Sequence, residues 1–189
     1  MIVSRQWYLV LLAALVAERL FELWLSDRNA RRAFARGGVE VGRVQYRVIV
    51  AFHTLFLAAC VAEALLRNPS ISPVATIAAL VGEAVAQGLR WWSIAALGDA
   101  WNTRIIVNNL MPVQTSGPYR YVRHPNYLAV VLEIACIPLI RGLVITATLF
   151  SIGNAIILAF RIPLEERALG DSYRRAFSAL PRFIPRLAR

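Results

Sequence analysis

The residues with the most chemistry to offer fall in two short clusters. The first is TSGPYRYVRHPNY, residues 115–127, where three tyrosines, two arginines, a histidine and an asparagine crowd into ten positions. Ser-Gly-Pro makes a turn. Pro125 starts a helix at a position where a missing N–H costs nothing. A helix start offers free backbone N–H groups and the positive end of the helix dipole, and both favour an anionic group such as a carboxylate. The second cluster is Arg161 with Glu165 and Glu166. Arg161 and Glu165 are four apart and share a helix face. Together the two clusters suit a ligand that carries both an ammonium and a carboxylate. A structural interfacial loop and an Arg–Glu capping pair are the plainer alternatives.

Other ionisable residues lie inside apolar runs, where charge is costly and points to function or pairing. Glu18 and Glu22 share one helix face, with Arg19 beside them, and Glu133 follows the first cluster by two turns. They are either an interhelical ion pair or the polar wall of a substrate cavity, and Glu22 and Glu133 are carried forward as substrate-side candidates. His53, Glu63 and Glu83 occur singly. Cys60 and Cys136 sit in apolar runs without CxxC or Cys/His spacing, so they read as small buried hydrophobes and no metal site is expected.

The elements that must hold these clusters are membrane helices. The 189-residue chain is 58% hydrophobic and 17% charged, against about 45–50% and 25% in soluble domains, and its mean hydropathy is +0.55. The net charge is +10 and every basic residue is arginine. These arginines lie between apolar runs and read as flanking charges, which argues against a nucleic-acid partner. The expected spans are 7–25, 44–66 and 73–89, followed by a non-spanning polar segment from 98 to 123. A helical hairpin of 127–140 and 143–160 turns at Arg141-Gly142. Residues 26–43 read as a basic, Gly-containing loop. The apolar N-terminus reads as an uncleaved first span rather than a signal peptide, because Glu18 and Arg19 follow it directly. Leu164, Ala168, Leu169, Tyr173, Ala176, Phe177 and Leu180 recur at helical spacing, which predicts an amphipathic tail helix ended by Pro181.

Arginines concentrate in residues 26–47, in 90–123 and after 161. The positive-inside rule then places all three segments in the cytoplasm with the N-terminus outside, a parity that five spans satisfy. The expected fold is all-α: a polytopic transmembrane helical bundle of about five spans. Residues 1–97 form the N-terminal transmembrane helices and 98–189 the cofactor-binding and catalytic region, integrated as one membrane domain. The location this implies is a bacterial inner membrane, multi-pass, with the active site facing the cytoplasm.

With these motifs on the page, the chain resembles the isoprenylcysteine carboxyl methyltransferase family of membrane methyltransferases. The resemblance covers residues 111–185: TSGPYRYVRHPNY, Arg161 with Glu165-Glu166, Leu169, Tyr173 and the closing PRFIP. It implies S-adenosylmethionine as cofactor, with contacts from Val113, Gln114, Tyr119, His124, Pro125, Asn126, Tyr127 and Glu165. It makes Arg161 a substrate contact, and Arg161 and His124 the catalytic candidates. The stretch Met-Pro-Val-Gln (residues 111–114) departs from the eukaryotic pattern. GGVEVGRVQY, His53, Glu63 and LRWW…LGDAWNTRIIV are similar to a bacterial branch that O-methylates alkylpyrone or alkylresorcinol lipids. The implied partners are a lipophilic small-molecule substrate and membrane lipids. No strand–GxGxxG–helix unit of a soluble nucleotide-binding fold is present. The alternatives are a prenylcysteine carboxyl methyltransferase proper, an NADPH-dependent sterol-reductase-like enzyme and a non-catalytic membrane scaffold.

Overall fold

Several helix starts are written locally in the sequence. Ser4 and Ser72 sit just before helices and accept hydrogen bonds from the backbone N–H of Trp7 (3.3 Å) and Ala75 (3.2 Å), satisfying donors that a helix start leaves open. Proline occupies the first helical position at Pro73 and Pro125. The computed structural model describes residues 3–108 and 112–184. Its elements are α1 (Arg5–Ala35), β1 (Val39–Val41), α2 (Arg43–Leu66), α3 (Pro73–Leu97), β2 (Ile105–Val107), α4 (Pro125–Leu139) and α5 (Val144–Ala176). Short 3-10 turns cover Gly98–Ala100 and Gly117–Arg120.

α2 and α5 are long and apolar enough to cross a membrane. Only 17% of the most apolar window of α2 is buried within the protein, so its apolar surface points outward and is not a soluble core. α4 has 15 residues, about 22 Å of helix, short of the ~30 Å hydrocarbon layer. It packs extensively on α3 and returns through Arg141-Gly142 into α5. The buried Arg141 ties that turn down by donating to the Val3 carbonyl (2.8 Å) and Asn68 Oδ1 (3.0 Å). Glu63 accepts from Thr146 N (2.9 Å) and Oγ1 (2.6 Å), closing the first turn of α5. The apolar core joins Tyr8 and Leu12 of α1, Phe56 and Cys60 of α2, Ala79 of α3, and Ile134 and Ile137 of α4.

Four features differ from the sequence reading. α1 continues to Ala35 through much of the segment read as a loop; an Asp27–Arg31 pair at 2.7 Å supports this extension across one turn. α3 likewise runs past Arg90-Trp91-Trp92 to Leu97. The tail is divided at a different place: the hairpin arm runs on as helix to Leu169, and a second, short helix follows a kink at Gly170. With φ 73° and ψ −160°, Gly170 occupies a region open essentially to glycine alone, so the first helix ends and the chain changes direction there. Finally, β1 and β2 form a two-stranded antiparallel sheet with Val39 opposite Val107 and Val41 opposite Ile105. It fastens the α1–α2 connection to the polar segment after α3.

Candidate active site

Both sequence clusters line one cavity of about 520 Å³. Its walls come from the C-terminal end of α1, residues 97–108, the Gly117–Arg120 turn, the start of α4 and the second half of α5. α1 carries a buried polar stripe that holds the 98–104 segment in place. Asn29 donates to the carbonyls of Trp101 (2.8 Å) and Gly98 (3.2 Å). Ser26 Oγ donates to Asn102 Oδ1 (2.9 Å) and accepts from Thr103 N (3.1 Å), and Asn102 Nδ2 donates to the Ser26 carbonyl (2.9 Å). The segment therefore behaves as a fixed wall, not a loose loop.

Arg161 is 97% buried and reaches this wall. Its Nη2 donates to the Thr103 carbonyl (3.0 Å) and its Nε to the Tyr127 hydroxyl (3.2 Å). Tyr127 in turn donates to Glu165. Arg161 and Glu165 share a face as expected, yet the tyrosine hydroxyl stands between them. Glu165 thus keeps an anionic edge on the cavity, while Arg161 Nη1 is left without a hydrogen-bond partner among the described residues.

The adjacent carboxylate has another task. Glu166 faces away, held in two-point contact by Arg182 (3.1 and 2.6 Å) and by His124 Nε2 at 3.0 Å. Burial alone would raise the Glu166 carboxyl, but hydrogen bonds from Arg182 and His124 outweigh it and hold it below the usual carboxylate range. The Tyr173 hydroxyl approaches the same His124 nitrogen at 3.4 Å. Burial pushes Tyr173 and Tyr119 up, and the nearby Glu165 adds to both, so both stay neutral phenols at physiological pH. Tyr119, Tyr173 and Phe177 pack into a small buried cluster that fastens the end of α5 to the Gly117–Arg120 turn.

The helix start at His124-Pro125 is less open than the sequence implied. The Arg123 and His124 N–H groups donate to the carbonyls of Pro181 (3.0 Å) and Arg182 (3.1 Å). The PRF part of the closing motif is thereby explained as a strap across the first cluster. Pro185, like Met111, lies outside the described residues.

Of the cofactor candidates, Val113, Gln114, Tyr119, His124, Asn126, Tyr127 and Glu165 line the cavity, and Pro125 opens α4 beside it. Glu22 and Glu133 do not line it. They form a separate buried charge cluster deeper in the bundle. Arg19 lies 2.8 Å from Glu22, 3.1 Å from Glu18 and 3.3 Å from Glu133. Arg90 pairs with Glu133 and lies 3.6 Å from Glu22. Gln87 bridges Glu133 and Glu83. Of the two sequence readings, the geometry matches the interhelical ion pair. Sequence reasoning missed the contribution of Asn29, Ala33 and Arg36 from α1 and of residues 171–177. Asn29, one helical turn from Ser26 in the segment read as a basic loop, was the available signal.

The cavity volume falls within the range of about 300–1,000 Å³ usual for small-molecule sites. Its lining pairs carboxylates (Asp99, Glu165, Asp171) with guanidiniums (Arg36, Arg104, Arg123) and aromatic rings (Trp101, Tyr119, Tyr173). Trp101 Nε1 and Asn126 Oδ1 are buried without hydrogen-bond partners among the described residues, one a donor and one an acceptor on the cavity wall. This donor set fits a zwitterionic amino acid joined to a flat heterocycle.

Two helices long and apolar enough to cross a membrane, with a polar cavity lined by both sequence clusters, point to a membrane protein with a small-molecule site. The sequence pattern of the isoprenylcysteine carboxyl methyltransferase (ICMT) family matches residues 74–171, and the chain belongs to that family of methyltransferases. It is 36% identical over 164 residues to the uncharacterized protein YpbQ of Bacillus subtilis (strain 168), covering 86% of this chain and 96% of that one. An uncharacterized protein of Haemophilus influenzae (strain ATCC 51907 / DSM 11121 / KW20 / Rd) is 27% identical over 166 residues, covering 87% and 95%.

Proposed function

We propose that this protein is an S-adenosylmethionine-dependent O-methyltransferase that methylates an acidic oxygen, a carboxyl or a phenol or enol hydroxyl, of an amphiphilic lipid. The observation that carries this reading is the Arg161–Tyr127–Glu165 line. It puts a cation and an anion side by side on the wall of a cavity already matched to the cofactor's functional groups. When bound, S-adenosylmethionine supplies a methyl group on a sulfonium, and that methyl passes in line to the acceptor oxygen while the sulfur keeps the bonding pair.

The chain's own residues do the rest. Glu165 accepts from the cofactor's ammonium, and Asn126 and the Trp101 indole N–H supply an acceptor and a donor for its other polar edges. Tyr119, Tyr173 and Phe177 offer aromatic surface for the base. Arg161 holds the acceptor oxygen as an anion, since a cation within about 4–6 Å lowers an acid's pKa, so no strong general base is required. His124 acts as a support of the wall, because its Nε2 is occupied by Glu166 and Tyr173. Five spans in a bacterial inner membrane put the cavity on the cytoplasmic side, in reach of soluble cofactor, while the lipid arrives between helices.

The reading is tested in two steps. Purified protein is heated with S-adenosylhomocysteine or with NADPH, and stabilisation by the first alone is expected. Membranes are then incubated with labelled S-adenosylmethionine and lipid extract, and label is expected in a lipid methyl ether or ester. Stabilisation by NADPH alone would point to a reductase, and a response to neither to a scaffold.

A further inference from the structure

A second, smaller cleft lies beside the cofactor cavity, and it is basic. Its volume is about 240 Å³, and it is lined by Arg123, Pro163, Glu166, Arg167, Tyr173 and Arg174. Arg123 and Tyr173 line the larger cavity as well and form the wall between the two. Three guanidiniums thus share the cleft with one carboxylate, and Arg182 and His124 from outside it already engage that carboxylate. Arg167 donates only from its Nε, to the Pro163 carbonyl (3.0 Å), and has no carboxylate partner among the described residues. Arg174 lies 2.9 Å from Asp171, an exposed pair that water screens.

The cleft stands at the end of an apolar stripe. Ile145, Leu149, Ile152, Ile156 and Phe160 of α5 are all more than half exposed. They recur at three- and four-residue spacing, and Pro163 and Arg167 continue the series on the same helix face before the break at Gly170. Arg167 stands two turns beyond Phe160, about 10 Å along the helix axis. In a bilayer the stripe faces lipid chains, and a headgroup layer of about 5–8 Å begins where the chains end. The apolar face and the guanidiniums are therefore stacked in the same order as the chain and headgroup of a lipid.

We infer that this cleft binds the headgroup of an anionic phospholipid: Arg167 and Arg123 hold the phosphate, Arg174 adds charge at the rim, and an acyl chain lies along the stripe from Ile152 to Phe160. The planar guanidinium fork matches phosphate oxygens in two-point contact, and basic pockets at the ends of membrane helices attract anionic headgroups. Phosphatidylcholine carries the same phosphate but brings a tethered ammonium among the arginines, where like charges repel. Phosphatidylglycerol brings none. Free phosphate has the charge but no chain to cover the stripe. This site is separate from the cofactor and acceptor sites, and it depends on α5 lying in the bilayer rather than on the methyltransferase reading.

The test reads retained lipid by native mass spectrometry, on the full chain released from nanodiscs of equal parts dioleoylphosphatidylglycerol and dioleoylphosphatidylcholine. The wild type is expected to retain phosphatidylglycerol over phosphatidylcholine by about tenfold. Arg167→Gln with Arg174→Gln is expected to bring the two lipids close to parity. Arg47→Gln with Arg175→Gln removes the same charge from exposed arginines that do not line the cleft, and is expected to keep the wild-type preference. Thermal unfolding in pure phosphatidylcholine discs is expected to be unchanged in both, since all four side chains are exposed. Arg167→Gln alone, with a smaller loss expected, repeats the test if the double variant folds poorly. A preference that survives in the cleft variants overturns the inference. So does an equal loss in the control variant, which would make the attraction a property of the whole basic chain, and so does a wild type that retains both lipids equally. Displacement of the retained lipid by millimolar inorganic phosphate also overturns it, because the acyl stripe would then contribute nothing.

Discussion

Each nitrogen of the Arg161 guanidinium has its own partner or lack of one. Nε is held by Tyr127, Nη2 by the Thr103 carbonyl, and Nη1 has no hydrogen-bond partner among the described residues. Two fixed points pre-orient a planar donor fork, which is the condition for precise positioning of an oxygen. Arg161→Ala is therefore expected to abolish methyl transfer while leaving the Kd for S-adenosylhomocysteine within about threefold, because Arg161 reaches Glu165, the proposed acceptor of the cofactor's ammonium, only through Tyr127. Calorimetry and a radiolabel assay on one preparation check this, and comparable losses of both would remove Arg161 from the acceptor side. Glu166 makes a second residue-scale prediction. Its folded pKa lies below the ordinary value, so its pairing with Arg182 and His124 stabilises the fold above the unfolded-state pKa of about 4.3. That stability is lost as pH falls from there through the depressed folded value. Wild-type unfolding midpoints are expected to drop over this window more steeply than those of Glu166→Gln.

At the scale of elements, two devices hold the site together. The first is the break at Gly170, which turns the chain from the hairpin arm into a short helix that completes the cavity wall. Nothing lies within 4 Å of a Cβ built there, so Gly170→Ala meets no clash and its cost is backbone strain alone, about 1–3 kcal/mol. Thermal unfolding with and without S-adenosylhomocysteine measures it, and the cofactor-bound form is expected to suffer most. The second is the charge cluster joining α1, α3 and α4. Removing Glu133 leaves Arg19 with Glu18 and Glu22 and Arg90 with Glu22 alone at 3.6 Å, so Glu133→Ala is expected to destabilise, by less than the roughly 3–5 kcal/mol of a fully uncompensated buried charge. Glu133→Gln, which keeps hydrogen-bonding capacity, is expected to cost less. A neutral result for the alanine variant in chemical unfolding would mean that the cluster does not lock the bundle.

For the whole molecule, the distribution of arginine predicts an orientation in the bilayer, which the proposed five-span topology makes testable. With the native Cys60 and Cys136 replaced, Ser70→Cys in the α2–α3 connection is expected to react with an impermeant maleimide in intact cells. Ser178→Cys, just after α5, is expected to react only after permeabilisation. Reaction of both from the same side would reverse the parity of the five-span topology. The strap formed by Pro181 and Arg182 closes the backbone of Arg123 and His124 with its carbonyls.

The sequence alone determined the helical class, the positions of most helices and a set of candidates (Val113, Gln114, Tyr119, His124, Asn126, Tyr127 and Glu165) that the fold brings to one cavity. Apolar run length, proline at helix starts and a dense polar motif are all local signals, readable without knowing what meets what. It could not assign Glu22 and Glu133, since a buried carboxylate looks the same in sequence whether its partner is a ligand or an arginine on another helix. Only the tertiary structure supplied Arg19 and Arg90 as those partners, drew Ser26 and Asn29 of α1 under the 98–104 segment, and set Tyr127 between Arg161 and Glu165. It also split two adjacent glutamates: their side chains leave the helix about 100° apart, so Glu165 turns to the cavity and Glu166 to the strap. These outcomes depend on contacts between residues far apart in the chain, which a spacing pattern cannot encode.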